Sequence, residues 1–212
     1  SRLRAGGIKV ALLEPYPGDM AMESTFLFNY EHAGYQAAAQ MAIKGATHLA
    51  VARHLLPPSY QLVRQGMARA ARELGLVLGE DLVFGPRPAC DATLPTEVAA
   101  RLCPLPPTTG ILAMQGRLGE ILYDQWLAPG GPPRQLFALC SSASEPYPPV
   151  TRILFPRRAQ LLAAIHYALD PQRPPERVVH EEFALEFHPP GEKRMTEATS
   201  GALPSLTHGA PS

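Results

Sequence analysis

The sequence predicts an α/β fold, and three observations lead to that prediction. Short apolar runs rich in branched residues alternate along the chain with segments of helical length and periodicity. The segments between them are short and carry Pro and Gly, which are typical of turns and loops. The apolar runs show no in–out alternation, as expected for parallel strands that helices cover on both faces.

Composition limits the classes of protein that this chain can represent. Its 212 residues are 46% apolar and 18% charged, which is enough to bury a core and excludes disorder of the whole chain. Nineteen basic and nineteen acidic residues give a net charge of zero. We therefore expect no direct binding of nucleic acid or of an anionic membrane surface. No apolar run approaches the roughly 20 residues of a spanning helix.

The first elements are two strands and a helix. A branched apolar run at 8–13 ends in a Pro- and Gly-containing loop, and a second strand follows at 25–28. An alanine-rich segment at 31–44 predicts a helix, since Gly45 stands where a helix C-terminus is expected.

A strand and an amphipathic helix come next. The strand covers 47–52, and two prolines in the loop after it prevent its continuation. Ser59 is placed to cap the helix, which ends at Gly75. Its apolar positions recur at helical spacing, at Val63, Gly66, Met67, Ala70 and Leu74.

The same order of elements continues to residue 187. The predicted strands lie at 82–84, 110–113, 135–140 and 150–154, and the predicted helices at 95–102, 118–127 and 157–169. The segment 178–187 alternates apolar and polar residues, which indicates a half-buried strand at a sheet edge. Residues 189–212 are rich in Pro, Gly, Ser and Thr without periodicity, and predict a flexible tail.

Ligands of open α/β sheets bind at the carboxyl ends of the strands. We therefore expect binding in the loops at 14–20, 53–59, 85–93, 114–117 and 141–149.

Catalytic and cofactor motifs are not found in the sequence. The seven histidines lack the short spacing of a metal site, and Cys90, Cys103 and Cys140 form no CxxC pair and have no neighbouring base. Neither a dinucleotide-binding glycine motif nor a nucleophile elbow is present. The sequence thus predicts no catalytic residue, no metal and no cofactor, and the odd cysteine count favours a reducing compartment.

Four short motifs then occur in a fixed order. They read FNYEHAGYQAA at 28–38, RQGM with AARELGL at 64–76, PTTGILA at 107–113 and PPVTRI at 148–153. In type and order they resemble segments of the effector-binding domain of the lactose/galactose repressor (LacI/GalR) family. The resemblance covers residues 8 to 187 and begins partway through the family's first subdomain.

The resemblance implies a type I periplasmic-binding-protein-like fold: two parallel-sheet subdomains around a cleft, the first of them incomplete. Residues 1–46 and 148–172 would form the partial N-terminal subdomain, and 47–147 with 173–188 the C-terminal one. It further implies a ligand-sensing domain of a transcriptional regulator, which binds a small, polar, sugar-like effector in the cleft. DNA would be bound only through an N-terminal domain absent from this chain. A cytoplasmic homodimer, with no membrane contact and no enzymatic activity, is implied as well.

Two departures from the family concern the ligand. Where sugar-sensing members carry acidic residues after two of the strands, this chain has Gln115-Gly116 and Ser141-Ser142. The helix arginine, Arg64, stands two residues before its glycine instead of three, which turns it by about 100°.

Six polar residues are the candidate ligand-binding residues. Each has a plainer alternative: a solvated arginine on a helix flank, an ordinary N-cap, or the general polarity of loops. The candidates are Asn29, Ser59, Arg64, Arg87, Gln115 and Ser141.

Two other classes of protein remain open at this stage. A solute-binding protein of a sugar transporter would share the fold, and a secretory signal in the full-length protein would distinguish it. An α/β enzyme is the second alternative, and turnover of a small molecule would reveal it.

Overall fold

The computed structural model describes residues 6–14, 23–54, 57–85, 94–127, 135–140, 150–174 and 177–189. Within these ranges the chain forms two β-sheets, one of three strands and one of seven, together with helices that pack on their faces. Adjacent strands are parallel in both sheets except at one edge of the larger. The predicted α/β class is confirmed.

The three-stranded sheet has the order β1-β2-β9. Its strands are β1 (Ala11–Leu12), β2 (Ser24–Phe28) and β9 (His180–Phe183).

The seven-stranded sheet runs β10-β8-β7-β6-β3, and β3 pairs on its far side with β4 and then β5. Only β10 is antiparallel to its neighbour. The strands are β3 (His48–Arg53), β4 (Val77–Leu78), β5 (Leu82–Val83), β6 (Thr109–Ala113), β7 (Leu136–Cys140), β8 (Thr151–Leu154) and β10 (Glu186–His188).

Helices cover both faces of the seven-stranded sheet, which explains why its inner strands are apolar throughout. In β3, Leu49 and Val51 join one buried cluster, while Ala50 and Ala52 join the cluster on the opposite face. The first cluster includes residues of α1 (Tyr30–Ile43) and α2 (Ser59–Leu74), and the second includes residues of α3 (Leu94–Leu102) and α4 (Gly116–Leu127).

The three-stranded sheet packs against α5 (Arg157–Leu169). Phe26 of β2 contacts Tyr167 of α5, with ring centroids 5.5 Å apart. Gln160 of α5 is fully buried, and its side-chain nitrogen donates to the carbonyls of Leu13 and Phe26 at 2.7 and 2.6 Å. This helix is therefore fixed to the sheet by polar as well as apolar contacts.

Helices α1 and α2 cross at a pair of glycines. A Cβ atom on Gly34 would lie 2.1 Å from the carbonyl oxygen of Val63, and one on Gly66 would lie 1.9 Å from that of Glu31. Both backbones approach too closely for any side chain. The glycine of the FNYEHAGYQAA motif and the glycine of the RQGM motif thus serve the same helix crossing.

The structure differs from the expected subdomain boundaries in three places. Helix α1 was expected with the first sheet, within 1–46, but it packs with α2 on the larger one. Residues 148–172 were expected with the first sheet, yet β8 pairs with β7 in the larger one, and only α5 returns to the smaller sheet. The predicted strand at 178–187 is two strands, because β9 pairs with β2 and the chain then crosses to β8. An alternating pattern cannot show this crossing, since both strands lie at sheet edges and are half exposed.

Two smaller predictions also need correction. Strand β4 was not predicted, because a two-residue strand gives no periodicity. Ser59 is not the N-cap of α2: Pro58 occupies that position, and no side chain caps the helix. The expected flexible tail at 189–212 lies outside the described residues except for Pro189.

Candidate functional site

The candidate site lies at the carboxyl edge of the seven-stranded sheet, where the neighbouring strands β5, β3 and β6 end together. Arg53 is the last residue of β3, and His54 follows it. Ala113 ends β6 opposite Ala52 of β3, and Gln115 follows just before α4. These loops are the ones in which the sequence predicted ligand binding.

A buried carboxylate, Asp81, organises this edge. Its Oδ2 accepts a hydrogen bond from Arg53 Nε at 2.9 Å and another from the Tyr60 hydroxyl. Its Oδ1 lies 3.7 Å from Arg64 Nε. Only 10% of the Asp81 side chain is exposed, so two guanidinium groups and a phenol surround a carboxylate shielded from water.

Tyr60 contacts Arg53 through its ring and Asp81 through its hydroxyl. The Arg53 guanidinium carbon lies 4.8 Å from the centre of the Tyr60 ring, a cation–π geometry. Burial raises the pKa of the Tyr60 phenol above its usual value, and the hydrogen bond to Asp81 raises it further. Tyr60 therefore remains a neutral donor to Asp81 at physiological pH.

Four buried polar atoms at this edge have no hydrogen-bond partner in the described structure. Leaving such an atom without a partner costs about 1–3 kcal/mol, so a ligand or an ordered water is expected to satisfy it. Two are acceptors, one is a donor, and the histidine nitrogen can be either. They are Asp81 Oδ1, Gln115 Oε1, Arg64 Nη1 and His54 Nδ1.

A second polar network lies where β2 ends. The Tyr30 hydroxyl donates to Glu14 Oε2 at 2.9 Å, and Arg157 Nη1 donates to Glu14 Oε1 at 2.6 Å. Arg157 also lies over the rings of Phe28 and Phe155, which pack against Tyr30. Glu14 thus joins α5, beside the smaller sheet, to α1, beside the larger one.

The two networks meet at the first turn of α2. Burial raises the pKa of the Tyr30 phenol, the charge and hydrogen bond of Glu14 raise it further, and a side-chain hydrogen bond with Ser59 lowers it. Ser59 is buried and precedes Tyr60, which belongs to the Asp81 network. Ser59 and Tyr60, which are adjacent in α2, thus lie near Tyr30 and Asp81 respectively.

The structure brings three of the six predicted residues to this region. Arg64 and Gln115 lie at the carboxyl edge of the larger sheet, and Ser59 lies between the two networks. Asn29 instead makes hydrogen bonds within the fold. Its Oδ1 accepts from the His32 backbone to cap α1, and its Nδ2 donates to Glu182 at 2.8 Å. Arg87 and Ser141 lie outside the described residues.

Sequence reasoning missed Asp81, Arg53 and Tyr60. Asp81 precedes a strand of two residues, so nothing in its local sequence distinguishes it from a loop carboxylate. Arg53 offered a usable signal, because a cation that ends a buried strand needs an anionic partner.

A cavity of about 170 Å³ lies at the opposite edge of the same sheet. Lys44, Thr108 and Gln135 contribute to its lining, and Lys44 Nζ lies 5.2 Å from the centre of the Phe137 ring. Among the described residues, no cluster of His, Cys, Asp or Glu could hold a metal ion. The described helices include none long and apolar enough to cross a membrane.

No protein-family model matches the sequence, and no curated protein matches it. Several solved structures do match it in fold. The Cra transcriptional dual regulator from Pseudomonas putida, in complex with fructose 1-phosphate, has a TM-score of 0.68 at 16% identity, with 89% of this chain and 71% of that chain covered. A LacI transcriptional regulator from a Rhodococcus species also has a TM-score of 0.68 at 16% identity, over 88% and 70% of the two chains.

A LacI family transcriptional regulator from Enterococcus faecium with bound ribose has a TM-score of 0.64 at 14% identity, over 89% and 71% of the chains. At such identities the similarity establishes the fold alone. The chain has the α/β fold of these regulators, as the sequence motifs implied.

Proposed function

We propose that this chain is the effector-sensing part of a LacI/GalR-like transcriptional regulator that binds a small, neutral, hydroxylated molecule at the carboxyl edge of its sheets. The observation that carries the proposal is that buried polar atoms near the ends of β3 and β6 lack partners in the described structure: Asp81 Oδ1 and Arg64 Nη1 beside α2, and His54 Nδ1 and Gln115 Oε1 elsewhere along this edge. Hydroxyl groups both donate and accept hydrogen bonds, so one polyhydroxylated ligand suits donor and acceptor atoms together.

Relatives in fold support this class of ligand. The Enterococcus faecium regulator has bound ribose and one from Arthrobacter is in complex with lactose, while the Pseudomonas putida regulator is in complex with fructose 1-phosphate, a sugar that also carries a phosphate group. The acidic residues of typical sugar-sensing members are replaced here by Gln115-Gly116, and Asp81 supplies a carboxylate at the same edge.

Sensing would proceed by a shift of population between open and closed forms. A ligand that contacts both polar networks favours the form in which they are close, in proportion to its differential affinity for that form. The two subdomains would be built around the three- and seven-stranded sheets. In the proposed cytoplasmic homodimer, closure would move DNA-binding domains that lie N-terminal to this sequence.

A thermal-shift screen tests the proposal. The chain is titrated with ribose, lactose, other sugars and polyols, and with nucleosides and amino acids as other classes. A ligand at 100 times its Kd stabilises the native state by about 2.7 kcal/mol and raises Tm accordingly.

The variants Gln115→Ala and Arg64→Gln should abolish the shift given by a sugar. Gln61→Ala, on an exposed position of α2, should leave it unchanged. The absence of a shift with every sugar and polyol would contradict the proposal, as would a shift that both site variants preserve.

A further inference from the structure

The carboxyl edge of the seven-stranded sheet has the features of an anion site and, in addition, one carboxylate. Arg53 Nε donates to Asp81 Oδ2 at 2.9 Å and Arg64 Nε lies 3.7 Å from Asp81 Oδ1, so both arginines face one carboxylate. Among the described residues, the first turn of α2 beside them contains no acidic residue and no side-chain cap. Guanidinium pairs and uncapped helix starts both favour phosphate or carboxylate ligands. Asp81 occupies the point on which the arginines converge.

Asp81 changes what the two arginines can bind. Its Oδ2 is occupied by Arg53 and Tyr60, and its Oδ1 lies beside Arg64 and has no hydrogen-bond partner among the described residues. An anionic ligand group that approached either guanidinium would meet a carboxylate oxygen close by, in surroundings that water screens poorly. A hydroxyl group meets no such repulsion, and it can donate to the unpaired Oδ1.

These contacts give Asp81 a role in selecting between anionic and neutral ligands. We propose that Asp81 determines the specificity of this site, by excluding anionic ligands from Arg53 and Arg64 and reserving the edge for neutral hydroxylated ones. This inference rests on the proposed function, since it concerns the ligand of the same site. Asp81 acts both through the arginines, as a positioning residue, and through its own unpaired oxygen.

Inorganic phosphate is the probe that tests this role. Its binding to the whole chain is measured by isothermal titration calorimetry in a phosphate-free buffer, for the original chain and for Asp81→Asn. We expect at least a tenfold gain in phosphate affinity in Asp81→Asn, because the amide keeps an acceptor for Tyr60 and Arg53 but carries no charge. A second substitution in that variant, Arg64→Gln, should remove the gain.

Glu73→Gln is the matched control, because it removes one negative charge from an exposed position on the same helix. It should leave phosphate affinity unchanged. Asp81→Ser also removes the charge and leaves a hydroxyl for Tyr60, so the test does not depend on the folding of a single variant. Circular dichroism of each variant identifies those that fold.

Each result has a defined meaning. Equal phosphate affinity in the original chain and in a folded neutral variant overturns the inference, whether both bind phosphate or neither does. A gain in the neutral variants that Arg64→Gln removes supports it. If the gain is found but no sugar or polyol stabilises the original chain, the exclusion of anions stands and the proposed effector class fails.

Discussion

Gln160 shows what a single residue contributes to this fold. It is fully buried, and its side-chain nitrogen joins α5 to the carbonyls of Leu13 and Phe26. Both carbonyls lie where the three-stranded sheet meets the helix, so their hydrogen bonds orient α5 on the sheet. The residue stands in an apolar helix, and its sequence context alone gives no reason to bury it.

Replacing Gln160 with Leu should destabilise the protein. The substitution keeps the volume but leaves two buried carbonyl groups without these donors, at about 1–3 kcal/mol for each unsatisfied group. Loss of Gln160 Oε1, itself buried without a partner in the described structure, offsets part of this cost. We therefore expect the free energy of unfolding, measured by urea denaturation, to fall by about 2–4 kcal/mol. Gln61→Leu, the same change at an exposed position of α2, should alter it by less than about 0.5 kcal/mol. Equal effects of the two substitutions would contradict the role given to Gln160.

Tyr30 should make stability depend on pH in the alkaline range. Its pKa in the folded protein is raised, so the native state keeps the phenolic proton above pH 10 while the unfolded chain loses it. The unfolded chain then binds fewer protons, and the free energy of unfolding must fall as pH rises above about 10.

Urea denaturation at several pH values between about 8 and 11 measures this fall. Because Tyr35 and Tyr60 also have raised pKa values, part of it should persist in Tyr30→Phe. The variant should nevertheless show a shallower slope than the original chain. An identical slope would mean that Tyr30 is not protected from ionisation.

At the level of elements, helix pairing depends on close backbone approach. Helices α1 and α2 cross where Gly34 and Gly66 face backbone atoms of the other helix. The sequence motifs that contain these glycines could be recognised, but their spacing did not show that they meet.

Gly66→Ala should therefore separate the two helices. The added methyl group would lie 1.9 Å from a backbone oxygen, which cannot move without shifting α1. Overpacking of this kind costs about 1–3 kcal/mol or more, and a lower thermal midpoint is expected. Gly79→Ala is the control, since its added Cβ would lie 3.5 Å from the nearest atom, at ordinary contact distance. A midpoint unchanged by Gly66→Ala would refute the close crossing.

The elements that could be predicted are those with strong periodicity. Helix 31–44 was expected and α1 covers Tyr30–Ile43, and the apolar runs that became β3, β6 and β7 were all found. Strand partners were harder to assign, because a strand's own residues do not specify which sheet it joins. This is why 178–187 was predicted as one strand, although β9 and β10 belong to different sheets.

The candidate site was predictable only in part, for a related reason. Gln115 follows a strand end and Arg64 begins a recognisable motif, so the position of each along the chain identifies it. Asp81 becomes important only when β5 pairs with β3 and brings it between Arg53 and Tyr60. Its role is a property of strand pairing and has no local pattern.

For the whole molecule, we propose a homodimer, as the family resemblance implies. Sedimentation velocity of the 212-residue chain at several concentrations tests this directly. We expect a dimer that dissociates on dilution. A single monomeric species at high concentration would show that these residues do not mediate dimerisation.

The central claim is that a small hydroxylated ligand binds where the parallel strands end. Hydrogen exchange followed by mass spectrometry, with and without the sugar or polyol that gives the largest thermal shift, tests it most directly. We expect slower exchange in segments 53–54, 57–64, 81–85 and 114–118, with little change elsewhere in the larger sheet. Slower exchange around Lys44, Thr108 and Gln135, at the opposite edge, would contradict this proposal and place the ligand in the cavity there.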